Sequence, residues 1–321
     1  MKKAFTLLLL RSLAFSLAIC ISLFSCAHPL KKENTNGDHI TFTDDLGRNV
    51  TIPKEPERVA VLFSSLADIW VTAGGNVDIS VGESIERGFC SADTILVDRG
   101  AGKTIDTEIL ISSSPDLVIF SSDIKAQADA AAICEKANIP TAAFKVESFS
   151  DYLDALHIFT ALTNKTELYE KFGTEQKEKI EKAVSGYKEK NTSKEILFIR
   201  AATSAKHTKA KRSEDHFACA MLEELGCKNI ADSAPVLLDG LSFEEILIQD
   251  PDIIFISIMG DENAGKDYID SLFSGKEWKS LSAVKDGNVV FLPKDLFQYK
   301  PNSRWHEAYS CLISILSGFK G

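Results

Sequence analysis

The chain has 321 residues, of which 45% are hydrophobic and 26% charged, an ordinary globular composition with enough length for two cores of moderate size. Its net charge is −10 at pH 7, and an acidic chain has little to offset phosphate repulsion, so no nucleic-acid partner is expected. The scattered cysteines show no C-x-x-C spacing, which predicts neither a disulfide framework nor a zinc site, and whether Cys219 and Cys227 pair is left open.

The N-terminus predicts export. Residues 1–25 combine a lysine-containing start with an apolar run and are typical of a signal peptide, too short in its apolar part for a stable membrane span. Leu23-Phe24-Ser25-Cys26 resembles a bacterial lipobox, so we expect lipidation at Cys26, with cleaved soluble export or an uncleaved anchor as alternatives. Residues 26–39 are polar and predict a flexible lipid-anchor tether.

Residues 40–148 alternate predicted strands with predicted helices, which indicates an N-terminal α/β lobe built on a mostly parallel sheet. Alternating residues around a glycine-containing turn predict a hairpin at the start of this lobe. The predicted elements are the hairpin at 40–52, strands at 58–63, 79–81, 117–120 and 140–144, helices from Ser64 to Gly74, at 105–114 and at 124–137, and a loop at 83–99.

Residues 149–191 are predicted to connect two lobes by a helix at 149–163 and a backbone helix at 166–188. The backbone helix carries apolar residues at helical spacing from Leu168 to Tyr187, interrupted by Gln176. At 1.5 Å per residue it would be about 35 Å long, roughly the width of a small domain.

Residues 192–321 repeat the plan and predict a C-terminal α/β lobe. The predicted elements are strands at 196–200, 253–257 and 289–292, a polar cationic loop at 203–212, and helices at 214–225, 244–249, 265–273 and 302–316.

One spacing relates the two lobes. Glu108 and Pro115-Asp116 recur as Glu244 and Pro251-Asp252, at one and the same offset along the chain. That offset also pairs the apolar run that starts at Arg58 with the run that starts at Lys194. The repeat predicts a duplicated unit, and hence an α/β fold of two similar, mostly parallel-sheet lobes joined by a long rigid α-helix.

No catalytic constellation is found in the sequence. The six histidines show no His-Glu-x-x-His pairing and are interpreted mostly as surface residues, and Gly102-Lys103-Thr104 lacks the first glycine of a P-loop. We therefore predict neither a catalytic residue nor a metal ligand, and not an enzyme.

Polar and aromatic side chains at predicted strand ends form the candidate binding site, because open α/β sheets place ligands there. Guanidinium groups and aromatic rings suit a large, partly anionic, planar or chelated ligand. The candidate ligand-binding residues are Ser64, Ser65, Glu83, Arg87, Ser122, Arg200, His207, Lys209, Met259, Phe297, Tyr299, Arg304 and Trp305.

The chain resembles the lipoprotein binding proteins of bacterial ABC importers for ferric siderophores, haem and cobalamin. The resemblance is carried by the opening Thr43-Asp-Asp-Leu-Gly-Arg48, the strand Arg58-Val-Ala-Val61, the two Pro-Asp strands, the backbone helix and Lys300-Pro-Asn-Ser-Arg-Trp305. It implies a helical-backbone periplasmic-binding-protein fold. It also implies that Glu108 and Glu244 dock to arginines of the permease, although carboxylates in a first helical turn are also favoured by the helix dipole.

The resemblance further implies capture of a metal chelate, first a ferric siderophore, with cobalamin or haem as alternatives. Relatives that bind bare divalent metal have a histidine where this chain has Phe63-Ser64-Ser65, which counts against zinc or manganese. We expect a monomer without a resident cofactor, lipid-anchored at the extracytoplasmic face of the cell membrane, whose partners are the chelate and ABC permease subunits. An exported α/β enzyme and a receptor for a protein or wall polymer are the remaining alternatives.

Overall fold

The computed structural model describes residues 31, 33–189 and 193–319, which belong to one compact unit. The predicted signal peptide and the predicted lipidation site, Cys26, lie outside the described residues. Two five-stranded, mostly parallel sheets and one three-stranded antiparallel sheet are surrounded by helices, so the predicted α/β fold class is confirmed.

The antiparallel sheet contains β1 (Glu33–Asn36), β2 (His39–Thr43) and β3 (Asn49–Pro53). The second and third strands are the predicted hairpin. The first strand lies in the segment predicted to be a flexible tether, and that prediction is wrong for these residues because they pair antiparallel with β2 around the positive-φ residue Gly37. Asp44, after β2, fixes the hairpin to the first large sheet by accepting a hydrogen bond from the backbone N–H of Ala143 at 3.1 Å.

The first lobe contains a fully parallel sheet in the order β6-β5-β4-β7-β8. Its strands are β4 (Val59–Val61), β5 (Ile79–Val81), β6 (Ile95–Asp98), β7 (Leu117–Ser121) and β8 (Thr141–Phe144). Its helices are α1 (Ser64–Thr72), α2 (Gly82–Glu86), α3 (Thr107–Ser112) and α4 (Lys125–Lys136). The loop predicted at 83–99 therefore contains most of α2 and all of β6. Gly82 permits this path, because a Cβ there would lie 2.1 Å from the carbonyl oxygen of Arg99.

Two helical segments connect the lobes: α5 (Phe149–Leu162) and a continuous helical stretch over residues 167–188. This backbone helix consists of α6 (Glu167–Tyr169), a π-helical turn (Glu170–Thr174) and α7 (Glu175–Lys188). The sequence predicts a regular α-helix throughout and does not predict the π turn. The π turn leaves the Phe172 carbonyl oxygen to accept from the Tyr152 hydroxyl at 3.0 Å and from Gln176 Nε2 at 2.6 Å.

The second lobe contains the other five-stranded sheet. β9 pairs in parallel with β12, which pairs in parallel with β13, while antiparallel β10 and parallel β11 pair with opposite ends of β9. Its strands are β9 (Glu195–Ala201), β10 (Lys209–Ala210), β11 (Lys228–Asn229), β12 (Ile253–Ile258) and β13 (Val289–Phe291). Its helices are α8 (Phe217–Glu224), α9 (Val236–Asp239), α10 (Phe243–Gln249), α11 (Glu262–Ser274), α12 (Ser282–Lys285), α13 (Lys294–Phe297) and α14 (Trp305–Gly318).

At β4 and β9 the structural equivalence of the two sheets differs by one residue from the predicted sequence repeat. Leu117 pairs with Val59, and its counterpart in the repeat, Ile253, pairs with Ile196. The offset that relates the Pro-Asp strands would instead match Val59 to Glu195, so the predicted pairing of Arg58 with Lys194 is wrong. The sequence does not reveal this difference of one residue, because both strands are apolar on both faces. A slip by one position would leave no polar residue in the core.

A continuous apolar core joins the lobes. Val59 in β4 and Ile196 in β9 belong to the same buried cluster, which also contains Phe159 of α5, Val184 of α7 and Leu312 of α14. The outer face of each sheet has a separate core. The backbone helix is thus one of three long helices that pack between the two sheets, and the lobes are not held by it alone.

Candidate functional site

The carboxyl ends of the parallel strands in both sheets face one interlobe gap. Three contacts across it show this arrangement. Asn302 donates from Nδ2 to the carbonyl oxygen of Ser65 at 3.0 Å, Lys300 forms an ion pair with Glu147, and the Arg87 guanidinium lies 4.2 Å from the ring centroid of Tyr299. Open α/β sheets bind ligands at this position, so the gap is the candidate site.

The first-lobe wall is a polar cluster at the ends of β4 and β5. Ser64 is fully buried and donates its hydroxyl hydrogen to the Glu83 carboxylate, while Arg87 Nη1 donates to Ser64 Oγ at 3.0 Å. The guanidinium of Arg87 also lies 4.7 Å from the ring centroid of Phe89. Burial lowers the pKa of Arg87, although Asp68, Glu83 and Tyr299 oppose the change. The structure therefore brings together four predicted site residues, the three of this cluster and Tyr299.

The second-lobe wall carries an arginine that is free of carboxylates. Arg200, at the end of β9, places Nη2 3.0 Å from the sulfur of Met259 at the end of β12. Among the described residues, Arg200 forms no ion pair, so its charge is available to a ligand. Arg200 and Met259 are thus brought together as neighbours in one wall.

His216 is a residue of this wall that the sequence analysis missed. Its ring lies between Phe198 and Phe217, with centroid distances of 4.7 and 4.8 Å, and its Nδ1 accepts from the backbone N–H of Ala218 at 3.2 Å. Burial and the positive charges of Lys300, Arg200 and Lys211 lower the pKa of His216 to about 3. The neutral ring therefore carries its proton on Nε2 and can act as a hydrogen-bond donor beside the cations.

Two predicted aromatic contacts are wrong, because both side chains belong to the core. Phe297 is fully buried, and Trp305 is 1% exposed, packed edge-on against Phe217 at 5.6 Å and near Phe149 at 6.0 Å. Neither ring can present a face to a ligand in this arrangement.

Arg304 differs from Arg200 because its charge is already paired. Its guanidinium lies 2.7 Å from the carboxylate of Asp295 and 2.8 Å from that of Glu307. The hydrogen bonds to Glu307 and then Asp295 raise the pKa of Arg304. An anionic ligand would have to compete with two carboxylates for this side chain.

Four further candidates are Ser65, Ser122, His207 and Lys209. Ser65 is buried and accepts from Asn302, and Ser122 is partly exposed and donates its backbone N–H to Phe144 at 3.1 Å. His207 is exposed, with its Nδ1 3.2 Å from Ser204 Oγ, and Lys209 is partly exposed in β10.

The cavity inside the gap is small. It is largely enclosed, has a volume of about 90 Å³, and is lined among others by Phe63, Ser121, Glu147 and Lys300. Typical ligand pockets have volumes of about 300–1,000 Å³. A chelate of ordinary size therefore needs the walls to move or binds at the open margin.

Glu108 and Glu244 occupy equivalent places. Each is exposed and is the second residue of a short helix, α3 or α10, that precedes a central strand of its sheet. Leu110 and Ile246, two residues further on, are fully buried, so the two helices present matching faces. The predicted repeat is thus correct at these two positions.

The described part of the chain contains no helix with the length and apolar character needed to cross a membrane. Within the same residues there is no cluster of three or more histidine, cysteine, aspartate or glutamate side chains suited to a metal ion. Cys219 and Cys227 are both free and buried, so the structure does not pair them.

Comparison with known proteins places these features in context. Residues 59–296 match a protein family described as periplasmic binding protein. The chain is similar to the Fe(3+)-citrate-binding protein YfmC of Bacillus subtilis (strain 168), with 25% identity over 294 residues that cover 87% of each chain.

Two solved structures have the same fold. Staphylococcus aureus SirA complexed with staphyloferrin B gives a TM-score of 0.66 at 20% identity and covers 86% of this chain and 98% of that one. The periplasmic vitamin B12 binding protein BtuF of Vibrio cholerae gives 0.65 at 19% identity and covers 83% and 98%. At these identities the likeness shows the fold alone.

Proposed function

Because the chain belongs to the periplasmic binding protein family, we propose that it is the substrate-binding protein of an ABC importer and that it captures an anionic ferric chelate of the siderophore type in the interlobe gap. The observation that carries the choice of ligand is the second-lobe wall. There Arg200 has no carboxylate partner among the described residues and His216 is a neutral hydrogen-bond donor. The similarity to a Fe(3+)-citrate-binding protein supports the same choice.

The chemistry of the walls suits a chelate that presents carboxylate oxygens to one side. Arg200 can offer charge-assisted hydrogen bonds, which are about twice as strong as neutral ones. His216 Nε2 can donate a further hydrogen bond without adding a charge that an iron centre would repel. The opposite wall offers the partly buried Ser64–Glu83–Arg87 cluster, in which the positive charge is balanced by a carboxylate.

We further propose that delivery uses the two exposed carboxylates, Glu108 and Glu244, as docking points for cationic residues of the permease. Lipidation at Cys26 would hold the monomeric protein at the extracytoplasmic face of the membrane. The protein would need no resident cofactor, because the metal arrives with the chelate and leaves with it. The family and the structural relatives are binding proteins, and the proposal contains no catalytic step.

The test is calorimetric titration with ferric citrate, iron-free citrate, haem and cyanocobalamin. We expect ferric citrate to bind the purified protein and the other three to bind at least tenfold more weakly. Preferential binding of haem or cyanocobalamin would replace the ferric chelate by the corresponding alternative. Equal binding of citrate with and without iron would show that the site does not recognise a ferric chelate.

A further inference from the structure

The segment of residues 298–305, here called the bridging segment, makes all three of the contacts that define the interlobe gap. Tyr299 stacks under Arg87, Lys300 pairs with Glu147, and Asn302 donates to Ser65. The Lys300–Glu147 ion pair also lines the small enclosed cavity. The bridging segment therefore forms part of the barrier between that cavity and the outside.

The same segment concentrates buried polar atoms without hydrogen-bond partners. Among the described residues, four buried side-chain polar atoms are unpaired, and three of them are Gln298 Oε1, Asn302 Oδ1 and Trp305 Nε1. An unpaired buried polar atom is unfavourable, because it has lost its hydrogen bonds to water without gaining a partner in the protein. Asn302 also has a φ of +47°, in the left-handed region, which is uncommon outside glycine although asparagine adopts it more readily than most residues. The observed conformation of this segment is thus costly in itself and is kept in place by its contacts.

The C-terminal end of the bridging segment is hydrogen-bonded to the backbone helix. The carbonyl oxygen of Asn302 lies 3.4 Å from Nε2 of Gln176, a buried residue of the backbone helix. Gln176 Oε1 in turn accepts from the backbone N–H of His306 at 3.3 Å. Asn302 donates to Asp68 at 2.8 Å as well. Residues 302–306 are therefore anchored on both the first lobe and the backbone helix. Residues 298–301 contact the first lobe mainly through the partly exposed side chains of Tyr299 and Lys300, while the backbone N–H groups of Gln298 and Tyr299 bond to Lys294 within the second lobe.

We propose that the bridging segment is a gate, with Asn302 as its pivot and the Lys300–Glu147 ion pair as its latch, which opens to admit ligand to the interlobe gap. The inference rests on the proposed function only in taking the gap as the ligand site. Opening breaks the ion pair and the Arg87–Tyr299 contact and gives the unpaired Oε1 of Gln298 access to water. Because a salt bridge with a partly exposed lysine is weak, the gate opens without unfolding either lobe.

The gate is tested by hydrogen–deuterium exchange of the ligand-free protein. Exchange is measured by mass spectrometry of peptides that cover residues 298–305. In the wild-type protein we expect these amides to exchange at least tenfold faster than those of β9 and β12. Lys300→Met and Glu147→Gln each remove the latch from one side and should accelerate exchange in the segment at least threefold. Lys125→Met removes the exposed Lys125–Asp129 pair of α4 and serves as the matched control that leaves the segment unchanged.

Exchange of residues 298–305 as slow as in the central strands would overturn the proposal, as would latch variants that match the control. A second variant, Asn302→Gly, keeps the positive φ accessible and removes the hydrogen bonds to Ser65 and Asp68. We expect faster exchange in residues 302–306 as well, and an unchanged rate there would remove the pivot. No ligand enters these measurements, so failure of the gate is distinct from failure of the proposed chelate binding.

Discussion

The guanidinium carbon of Arg87 lies 4.2 Å from the ring centroid of Tyr299, and the two residues come from opposite sides of the interlobe gap. Cation–π contacts contribute about 0.5–2 kcal/mol, depending on how far the cation is desolvated. The partly buried guanidinium of Arg87 also bonds to Ser64, so its position is fixed independently of the ring.

Replacing the ring of Tyr299 should therefore weaken the contact between the lobes. We expect Tyr299→Leu to lower the free energy of unfolding by about 0.5–2 kcal/mol, measured by urea denaturation. Tyr299→Phe keeps the ring and should lose less than half as much. Equal losses in both variants would show that the hydroxyl group, not the ring, provides the stabilisation.

Arg200 and Arg304 should differ in their importance for binding, although the sequence suggests both as ligand contacts. Loss of a hydrogen bond to a charged group costs about 1.5–3 kcal/mol, so Arg200→Gln should weaken ferric citrate binding roughly 10- to 150-fold by calorimetric titration. Arg304→Gln should change the affinity less than threefold, because Asp295 and Glu307 already hold that guanidinium. The opposite order of effects would place the ligand against Arg304.

Reversing the charges at Glu108 and Glu244 should separate delivery from capture. The double variant Glu108→Lys, Glu244→Lys should abolish uptake of radiolabelled ferric citrate by cells and leave the affinity of the purified protein unchanged. Glu245→Lys is the control for a charge reversal in the same helix. The Glu245 carboxylate is partly buried and accepts from Gln249 at 2.9 Å, so it is not an exposed docking point. Normal uptake by the double variant would remove the docking assignment.

The stability of the protein should depend on pH through His216. Its pKa is about 3 in the folded protein and near 6.5 in the unfolded chain, so between these values the unfolded chain binds the proton. The contribution of His216 to stability is therefore complete above pH 6.5 and falls by up to about 1.4 kcal/mol per pH unit below it.

His216→Asn tests this dependence, since asparagine can still cap α8 through its side chain. We expect the free energy of unfolding of the variant to fall less steeply than that of the wild-type protein between pH 6.5 and 4.5. His207→Asn changes an exposed histidine and should follow the wild-type curve. Parallel curves for all three proteins would contradict a neutral, desolvated ring at position 216.

Periodicity is sufficient to predict the fold class and most elements, because strands that alternate with amphipathic helices have few other arrangements. The same periodicity contains the signal for a buried Trp305, although the sequence analysis interpreted this residue as a ligand contact. Trp305, Ala308, Tyr309, Leu312 and Leu316 have the spacing of one helix face, and all are buried. The opposite interpretation of this ring, as a ligand contact, comes from the cationic residues just before it, and helical spacing is the stronger signal of the two.

Other features have no sequence signal. The pKa of His216 is lowered first by burial and then by Lys300, Arg200 and Lys211, and only Lys211 is near it in the sequence. Gln176 has the helical spacing of the apolar stripe, which predicts its burial, but the spacing does not predict its bond to Phe172. Polar residues inside a core are determined by partners that local patterns do not contain.

Because of the π turn, the effect of deleting a residue from the backbone helix should depend on where the deletion lies. A π turn accommodates one more residue than the α-helical turn it replaces, so the extra residue is absorbed locally. If residues 170–174 were wound as a regular α-helix, everything after them would rotate by about 100° around the axis, the angle of one residue in an α-helix. Ile180, Val184 and Tyr187 would then leave the face on which they are now buried. The π turn thus determines how the helical faces before and after it are rotated relative to each other about the axis of the backbone helix. Removing one residue inside it should be tolerated better than removing one from the regular turns that follow, where the loss would misalign one half of the molecule against the other.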